Sequence, residues 1–363
     1  MTFTSIEDLV ERSSVVVCCG SGGVGKTTTA AVLALGAAAR GRKAVVVTID
    51  PAKRLADALG LEGLTNTPAR ISGDWPGELW AMMLDTEATF DALVSRHAGS
   101  PEQSEKILAN RFYRNIAGAM SGTQEYMASE KLYELAVEHD FDLIVVDTPP
   151  TRNALDFLEA PNRLARFLDH RLYRMVTAPT RGLVKAVNVA AQGFFRSVGK
   201  VVGGDVIADA IAFFAAFDGM EEGFKHRAQA VEKLLRAPET AFMLIASPHA
   251  DTVGEASYFA KRLKEIGIEV SGLIVNRVHP DPGGPTSPAA AAARAETLAG
   301  TAIGAQFEAL ARLREVALGE IEHVAQITSQ IGSAPVRMVP YLPFEVHDLE
   351  TLQAFADALI TPK

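Results

Sequence analysis

The sequence predicts an α/β fold, a doubly wound and mostly parallel sheet with a helical subdomain inserted into it. Two observations predict it. A β-branched run, Val15-Val16-Val17-Cys18-Cys19, breaks into glycines and then opens a helix. Further apolar runs, broken only by Asp142, Ser271 and Gly272, follow helical stretches at Ala44–Val47, Phe141–Val146, Ala241–Ala246 and Val270–Val275. Strands that are apolar throughout belong in a sheet covered on both faces, and their alternation with helices is the βαβ pattern of parallel strands.

Within the first stretch, Gly20, four intervening residues and then Gly25-Lys26-Thr27 fit the spacing G-x-x-x-x-G-K-[ST]. With a strand before it and a helix after it, this is a P-loop, and the fold class sharpens to a P-loop NTPase. Backbone N–H groups along Gly20, Ser21, Gly22, Gly23, Val24 and Gly25 can turn inward on phosphates, and the helix N-terminus adds partial positive charge. Lys26 is placed to reach the outer phosphates, and the Thr27 hydroxyl to ligate Mg²⁺. The expected cofactors are ATP and Mg²⁺. Cys18 and Cys19 lie inside the apolar strand and read as small core hydrophobes rather than nucleophiles.

After the P-loop helix, expected over about Thr27–Arg40, the strand Ala44–Thr48 ends in Ile49-Asp50-Pro51. Asp50 then stands at the carboxyl end of a parallel strand, where such sheets bind ligands. A carboxylate there can orient or deprotonate the water that attacks a phosphoryl group. A D-P pair also suits the cap of a helix beginning at Pro51. Leu79–Asp85 reads as a third strand. Helical spacing follows over Thr86–His97 and Pro101–Glu138, with Ile107, Leu108, Phe112, Ile116 and Met120 in phase, and Met120 and Met127 reading as core filler. The strand from Phe141 ends in Asp147, the Walker B pattern, whose carboxylate binds Mg²⁺ directly or through water. Thr148-Pro149-Pro150-Thr151-Arg152 is a stiff segment suited to sensing the γ-phosphate.

Residues 153–236 are helical in pattern, with aromatic pairs at Phe194-Phe195 and Phe213-Phe214; they pack on the parent sheet or form a groove for a partner helix. Strands resume at Ala241–Ser247 and Val270–Val275, separated by a helix near Thr252–Ile266. Asn276, at the end of the second, can offer its amide to an adenine edge or close a turn. His279–Ser287 reads as a flexible Pro/Gly loop. Ala289–Gln330 reads as one α-helix with Leu298, Phe307, Leu310, Leu313, Val316 and Ile321 as its apolar face, followed by a last strand at Val336–Pro340, a loop and a final helix.

The 363 residues are expected to form a single P-loop ATPase domain: an α/β core of 15–85, 139–152 and 240–363, with a helical subdomain at about 86–138 and 153–236. A net charge of −9 argues against nucleic acid as a partner, which calls for a basic face. The two cysteines are adjacent and no C-x-x-C pair occurs, so neither a disulfide framework nor a cysteine zinc site is expected. No histidine cluster suggests a metal beyond Mg²⁺. Residues 1–14 are polar and acidic rather than leader-like, and no run approaches the roughly 18 apolar residues of a membrane span. The expected location is the cytoplasm, peripheral to any membrane partner.

Taken in order, Gly20–Thr28, Thr48-Ile49-Asp50-Pro51-Ala52, Asp147-Thr148-Pro149-Pro150-Thr151, Val275-Asn276 and Leu342-Pro343-Phe344-Glu345-Val346 resemble the motifs of the arsenical pump ATPase family. That family includes the ATPases that target tail-anchored membrane proteins. The resemblance covers essentially the whole chain. It implies a dimer that closes around two nucleotides and opens after hydrolysis, coupled to a hydrophobic protein client or a membrane-protein partner. By position, Lys26 and Thr27 match the phosphate and Mg²⁺ ligands, Asp50 the hydrolytic aspartate of switch I, and Asp147 the switch II aspartate. Asn276 matches the adenine reader, and Pro343-Phe344 the loop flanking the base. Arg152 stands where the tail-anchor ATPases have a glycine.

The stretch Gly22-Gly23-Val24-Gly25-Lys26-Thr27-Thr28 is similar to the deviant Walker A loop K-G-G-V-G-K-T, whose first lysine crosses the dimer interface to the partner's nucleotide. Here that position is Ser21, which carries no charge. Charge supplied in trans to a phosphoryl-transfer site is worth about 10³–10⁵ in rate for arginine fingers. A homodimer is therefore expected to hydrolyse slowly, and a heterodimer with a lysine-bearing paralogue is the other assembly. The metalloid-binding cysteines of the arsenite enzyme are absent as well. The alternative functions are the energising subunit of an anion or metalloid efflux system, and a low-hydrolysis regulatory subunit of such a heterodimer.

Overall fold

The computed structural model describes residues 2–360 except 51, 53, 112, 115–122, 150–156, 162, 164, 165, 167–208, 210, 211, 214, 215, 217, 218, 281 and 285. Among the described residues the strands are β1 (Val15–Gly20), β2 (Lys43–Thr48), β3 (Ala69–Ile71), β4 (Glu78–Met83), β5 (Leu143–Asp147), β6 (Thr240–Ala246), β7 (Gly272–Val278) and β8 (Val336–Pro340). They form one sheet in the order β3-β4-β2-β5-β1-β6-β7-β8. Every pairing is parallel except that of β3 with β4.

Among the described residues, the helices with both ends described are, in chain order, α1 (Ile6–Arg12), α2 (Lys26–Ala38), α3 (Arg54–Ala58), α4 (Thr86–His97), α5 (Pro101–Leu108), α6 (Thr123–Glu138), α7 (Glu221–Leu235), α8 (Ala250–Glu265), α9 (Pro288–Thr297), α10 (Ala302–Thr328) and α11 (Leu349–Ile360). No helix of the described residues is long and apolar enough to cross a membrane.

The unbroken apolar strands are explained by burial on both faces. Alternate residues go to opposite sides. Val16, Cys18, Val46 and Val145 pack with α1, α2 and α11, whereas Val15, Val17, Cys19, Val45 and Val146 pack with α6 and α8. The adjacent cysteines thus belong to two different cores. Burial pushes the Cys19 thiol up to about 12 and the Cys18 thiol well above its ordinary value. Because the thiolate is the reactive form, neither should react with a chromogenic disulfide reagent at pH 8 in the native protein. Both should be titrated after unfolding in urea.

A third cluster joins Leu93 and Val94 of α4, Ile107 of α5, Tyr126 and Met127 of α6 and Phe224 and Ala228 of α7. Met127 is core filler, as its sequence position suggested; Phe112, Ile116, Met120, Phe194, Phe195 and Phe214 lie outside the described residues. The α6 helix contributes to two clusters, since its Ala128, Leu132 and Leu135 pack against the sheet.

Three expectations are corrected. The strand at 78–83 is the fourth in the chain, because β3, a three-residue antiparallel edge, precedes it. The expected helix Ala289–Gln330 is two helices, broken where Gly300 takes a φ of 81° and Thr301 caps α10. The apolar face expected on that helix is also partly turned outward, with Val316 45% and Ile321 53% exposed. The buried side of α10 instead carries Arg314, Ala317, Glu320, Val324 and Ile327. The reason is the neighbouring loop: Arg314 donates to the carbonyls of Gly283 and Gly284, and Glu320 accepts from the His279 N–H at 2.8 Å. The Pro/Gly loop is tied at its start and at its middle to this polar seam.

Candidate active site

β1 lies between β5 and β6, so its carboxyl end leaves the sheet in the crevice between two parallel neighbours. A Cβ at Gly20 would stand 2.1 Å from the Ile245 carbonyl oxygen, which is why glycine is needed where the strand gives way to the loop. Gly23 and Gly25 have φ values of 77° and 93°, a region that side-chain-bearing residues rarely adopt. The chain then enters α2, whose N-cap Gly25 offers no side-chain hydrogen bond. The first N–H groups of the helix are thereby left for an anion.

Lys26 is buried at 8% exposure, and its Nζ donates to the Ser21 carbonyl oxygen at 2.7 Å, which keeps the ammonium inside the arc of the loop. Burial lowers its pKa, while Asp147 and Asp50 act in the opposite direction. Ser21 is enclosed at 4% exposure and its hydroxyl has no hydrogen-bond partner among the described residues. Gly22 and Gly23 are exposed, and a Cβ on either would meet nothing within 4 Å. Thr28 is half-buried in the first turn of α2.

The acidic end of the site comes from β2 and β5, whose register places Thr48 beside Asp147. Asp147 Oδ2 accepts from Thr27 Oγ1 at 2.8 Å and from Thr48 Oγ1 at 2.9 Å. Its Oδ1 is buried and has no partner among the described residues. Burial pushes the Asp147 carboxyl up to about 6, although the two hydroxyls and Lys26 pull it down. A buried carboxylate oxygen with no partner is costly until a cation meets it. Hydroxyl and carboxylate oxygens are the hard donors that Mg²⁺ prefers. The residues present fit that ion, with Thr27 and Asp147 as those that would hold it.

Asp50 follows β2 by two residues. Its N–H donates to Thr48 Oγ1 at 3.2 Å, its Oδ1 accepts from the Ala52 N–H at 3.0 Å, and its Oδ2 pairs with Arg54 at 3.3 Å. These contacts make a turn at Asp50 rather than the cap of a helix beginning at Pro51, since α3 begins at Arg54. The carboxylate is also close enough to act electrostatically on Lys26 and Asp147.

Two participants escaped the sequence reading. The Thr48 hydroxyl joins the Asp147 carboxylate to the Asp50 backbone; its signal was a hydroxyl residue two positions before the aspartate. Gln124, at the start of α6, donates from Nε2 to the Ile49 carbonyl at 2.9 Å. Gln124 and Ile49 are 75 positions apart, and no local pattern marks them.

Asn276 lies within β7 rather than after its end, and it is buried. Its Nδ2 donates to the Val24 carbonyl at 3.0 Å, and a Cβ on Gly25 would come within 2.4 Å of that nitrogen. Its recorded contact is therefore with the phosphate loop. Pro343 is exposed and Phe344 half-buried in the loop after β8, which Leu342 and Val346 fasten to the core at the same carboxyl edge. Pro51, Pro150, Thr151 and Arg152 lie outside the described residues.

The family pattern described as anion-transporting ATPase matches residues 13–312. The chain belongs to that family. It is an ATPase that uses ATP with Mg²⁺, built on the α/β P-loop fold. The anion-transporting ATPase family chain is similar to ATPase get3 of Schizosaccharomyces japonicus, 24% identical over 363 residues that cover 99% of this chain and 96% of that protein. It is 23% identical to ATPase GET3A of Arabidopsis thaliana over 363 residues, covering 99% and 87% of the two chains. To ATPase ARSA2 of Chlamydomonas reinhardtii it is 25% identical over 348 residues, covering 94% and 83%.

Proposed function

We propose that the chain is a dimeric switch ATPase whose nucleotide-driven opening and closing is coupled to a protein client or partner. The observation that carries this reading is the hydrogen-bonded path from Thr27 through Asp147 and Thr48 to the backbone of Asp50, continued by Gln124 on the neighbouring Ile49 carbonyl. It joins the metal end of the site to the segment that would position water, and that segment to a helix shared with the α4–α7 cluster. Such a hydrogen-bonded network is one physical means by which two packed units can be coupled.

In this reading Lys26 exchanges the Ser21 carbonyl for the outer phosphate oxygens, and the N–H groups of the loop and of the first turn of α2 hold the rest. Mg²⁺, when bound, neutralises charge on those phosphates. Asp50 orients the attacking water and takes its proton as the water oxygen bonds to the γ-phosphorus and the bond to the leaving diphosphate breaks. Asn276 props the loop with one amide hydrogen and offers the other to the base, beside Pro343 and Phe344. The partner is a hydrophobic protein client or a membrane protein, met in the cytoplasm.

Ser21 favours one assembly, a heterodimer with a paralogue that keeps the lysine. The test is ATP turnover of the purified chain against protein concentration, with Ser21→Lys beside it. The expected result is near-background turnover with nucleotide bound, raised in Ser21→Lys by about 10³ and increasing with concentration. Rapid turnover of the unmutated chain that rises with concentration would show that the charge is not needed. Turnover in Ser21→Lys that is independent of concentration would overturn the dimer.

A further inference from the structure

β7 contains one residue whose backbone is out of place in a strand. Arg277 has a φ of 61°, and among the described residues it is the one non-glycine with a positive φ. The left-handed region is strained for an L-residue, and glycine is the residue that takes it freely. The pairing of β7 with β8 shifts register between Val275 and Val278, at the same place. A bulge and a left-handed residue together re-aim side chains.

In a regular strand Asn276 and Arg277 would point to opposite faces. Here both reach one loop. Asn276 Nδ2 donates to the Val24 carbonyl at 3.0 Å, and an Arg277 guanidinium N–H donates to the Gly23 carbonyl at 3.0 Å. The corner is closed internally, since the Arg277 N–H donates to Asn276 Oδ1 at 3.0 Å. Peptide units are planar and trans, so a carbonyl and the following N–H point in opposite directions. Holding the Gly23 oxygen fixes the Val24 N–H, and holding the Val24 oxygen fixes the Gly25 N–H. These are the donors in the middle of the phosphate loop.

Resting on the reading of that loop as the nucleotide site, we infer that Arg277 is a positioning residue: the bulged, left-handed corner of β7 turns it with Asn276 onto the Gly23 and Val24 carbonyls, presetting the loop's N–H groups for phosphate. It also places a permanent positive charge on the exposed rim of a loop whose neighbouring Ser21 has none. The strain at Arg277 is stored where its side chain is used, as strained residues at binding sites commonly are.

The test compares the full-length chain with Arg277→Gly, Arg277→Ala and Arg277→Lys. A fluorescent ATP analogue and its displacement by ATP give affinity, and thermal unfolding without nucleotide gives stability. Glycine suits the backbone of this position better than arginine does, so Arg277→Gly is expected to melt at the same temperature or higher while binding ATP about tenfold more weakly. Arg277→Lys, which keeps the charge, should recover most of the affinity. Arg277→Ala should lose both stability and affinity. Arg277→Gly binding ATP as tightly as the parent would overturn the inference, as would Arg277→Lys binding no better than Arg277→Gly. Failure of the parent chain itself to bind ATP would overturn the nucleotide reading and this inference together, and it is distinguishable because no variant is needed to see it.

Discussion

Asp50→Asn is expected to bind ATP with Mg²⁺ nearly as tightly as its parent and to hydrolyse it about 10²–10⁴-fold more slowly, the usual worth of a positioned acid–base group. The geometry allows the two effects to separate. Asparagine keeps an oxygen where Asp50 Oδ1 accepts the Ala52 N–H, so the turn is retained, and the backbone N–H to Thr48 is untouched. What goes is a carboxylate able to accept a proton, together with its pairing to Arg54. That pair is exposed on the arginine side, so its loss has little effect on stability. The measurement is best made in the Ser21→Lys background under single-turnover conditions, where there is enough rate to lose. An unchanged rate there would remove Asp50 from the reaction and leave it as a turn residue alone.

Lys26→Ala should lose both binding and turnover, with the rate constant of hydrolysis falling by about 10²–10³, as when one preorganised donor is deleted from a charge-stabilising site. The lysine is almost fully buried and leans on the carbonyl of Ser21, five residues earlier. Removing it strands that carbonyl and takes away a cation that steadies the buried Asp147 carboxylate. ATP affinity and single-turnover rate in the same background check it. Full retention of both would mean that the loop's N–H groups and Mg²⁺ suffice, and that the lysine is structural.

Most of the sheet was legible because fully buried parallel strands leave long apolar runs. What escaped had short or long-range causes. Ala69–Ile71 is too brief for any periodicity, and its place is settled by pairing with Leu79–Ala81 across a turn. The division of α9 from α10 depends on one left-handed glycine within an alanine-rich stretch. The outward side of α10 was misread because its buried side is used for Arg314 and Glu320, whose partners lie in a loop some 30–40 residues earlier. At the site, the residues that belong to contiguous motifs could be named in advance. Gln124 could not, because its partner Ile49 lies 75 positions away; Thr48 stands inside a motif, but its bond to Asp147 follows from the register of β2 with β5 rather than from the motif. The β7 corner was hidden for another reason: nothing in Val275-Asn276-Arg277 signals a positive φ.

The α6 helix contributes Tyr126 and Met127 to the helical cluster and, within the following nine residues, Ala128, Leu132 and Leu135 to the core against the sheet. A single rigid rod is thus the common wall of two hydrophobic interiors. Losing either set of contacts removes the packing that holds one part of this helix, so the two interiors are expected to unfold together. Cooperativity of unfolding is therefore expected to depend on this shared wall, and a substitution at Leu132 is expected to loosen the helical cluster as well as the sheet core.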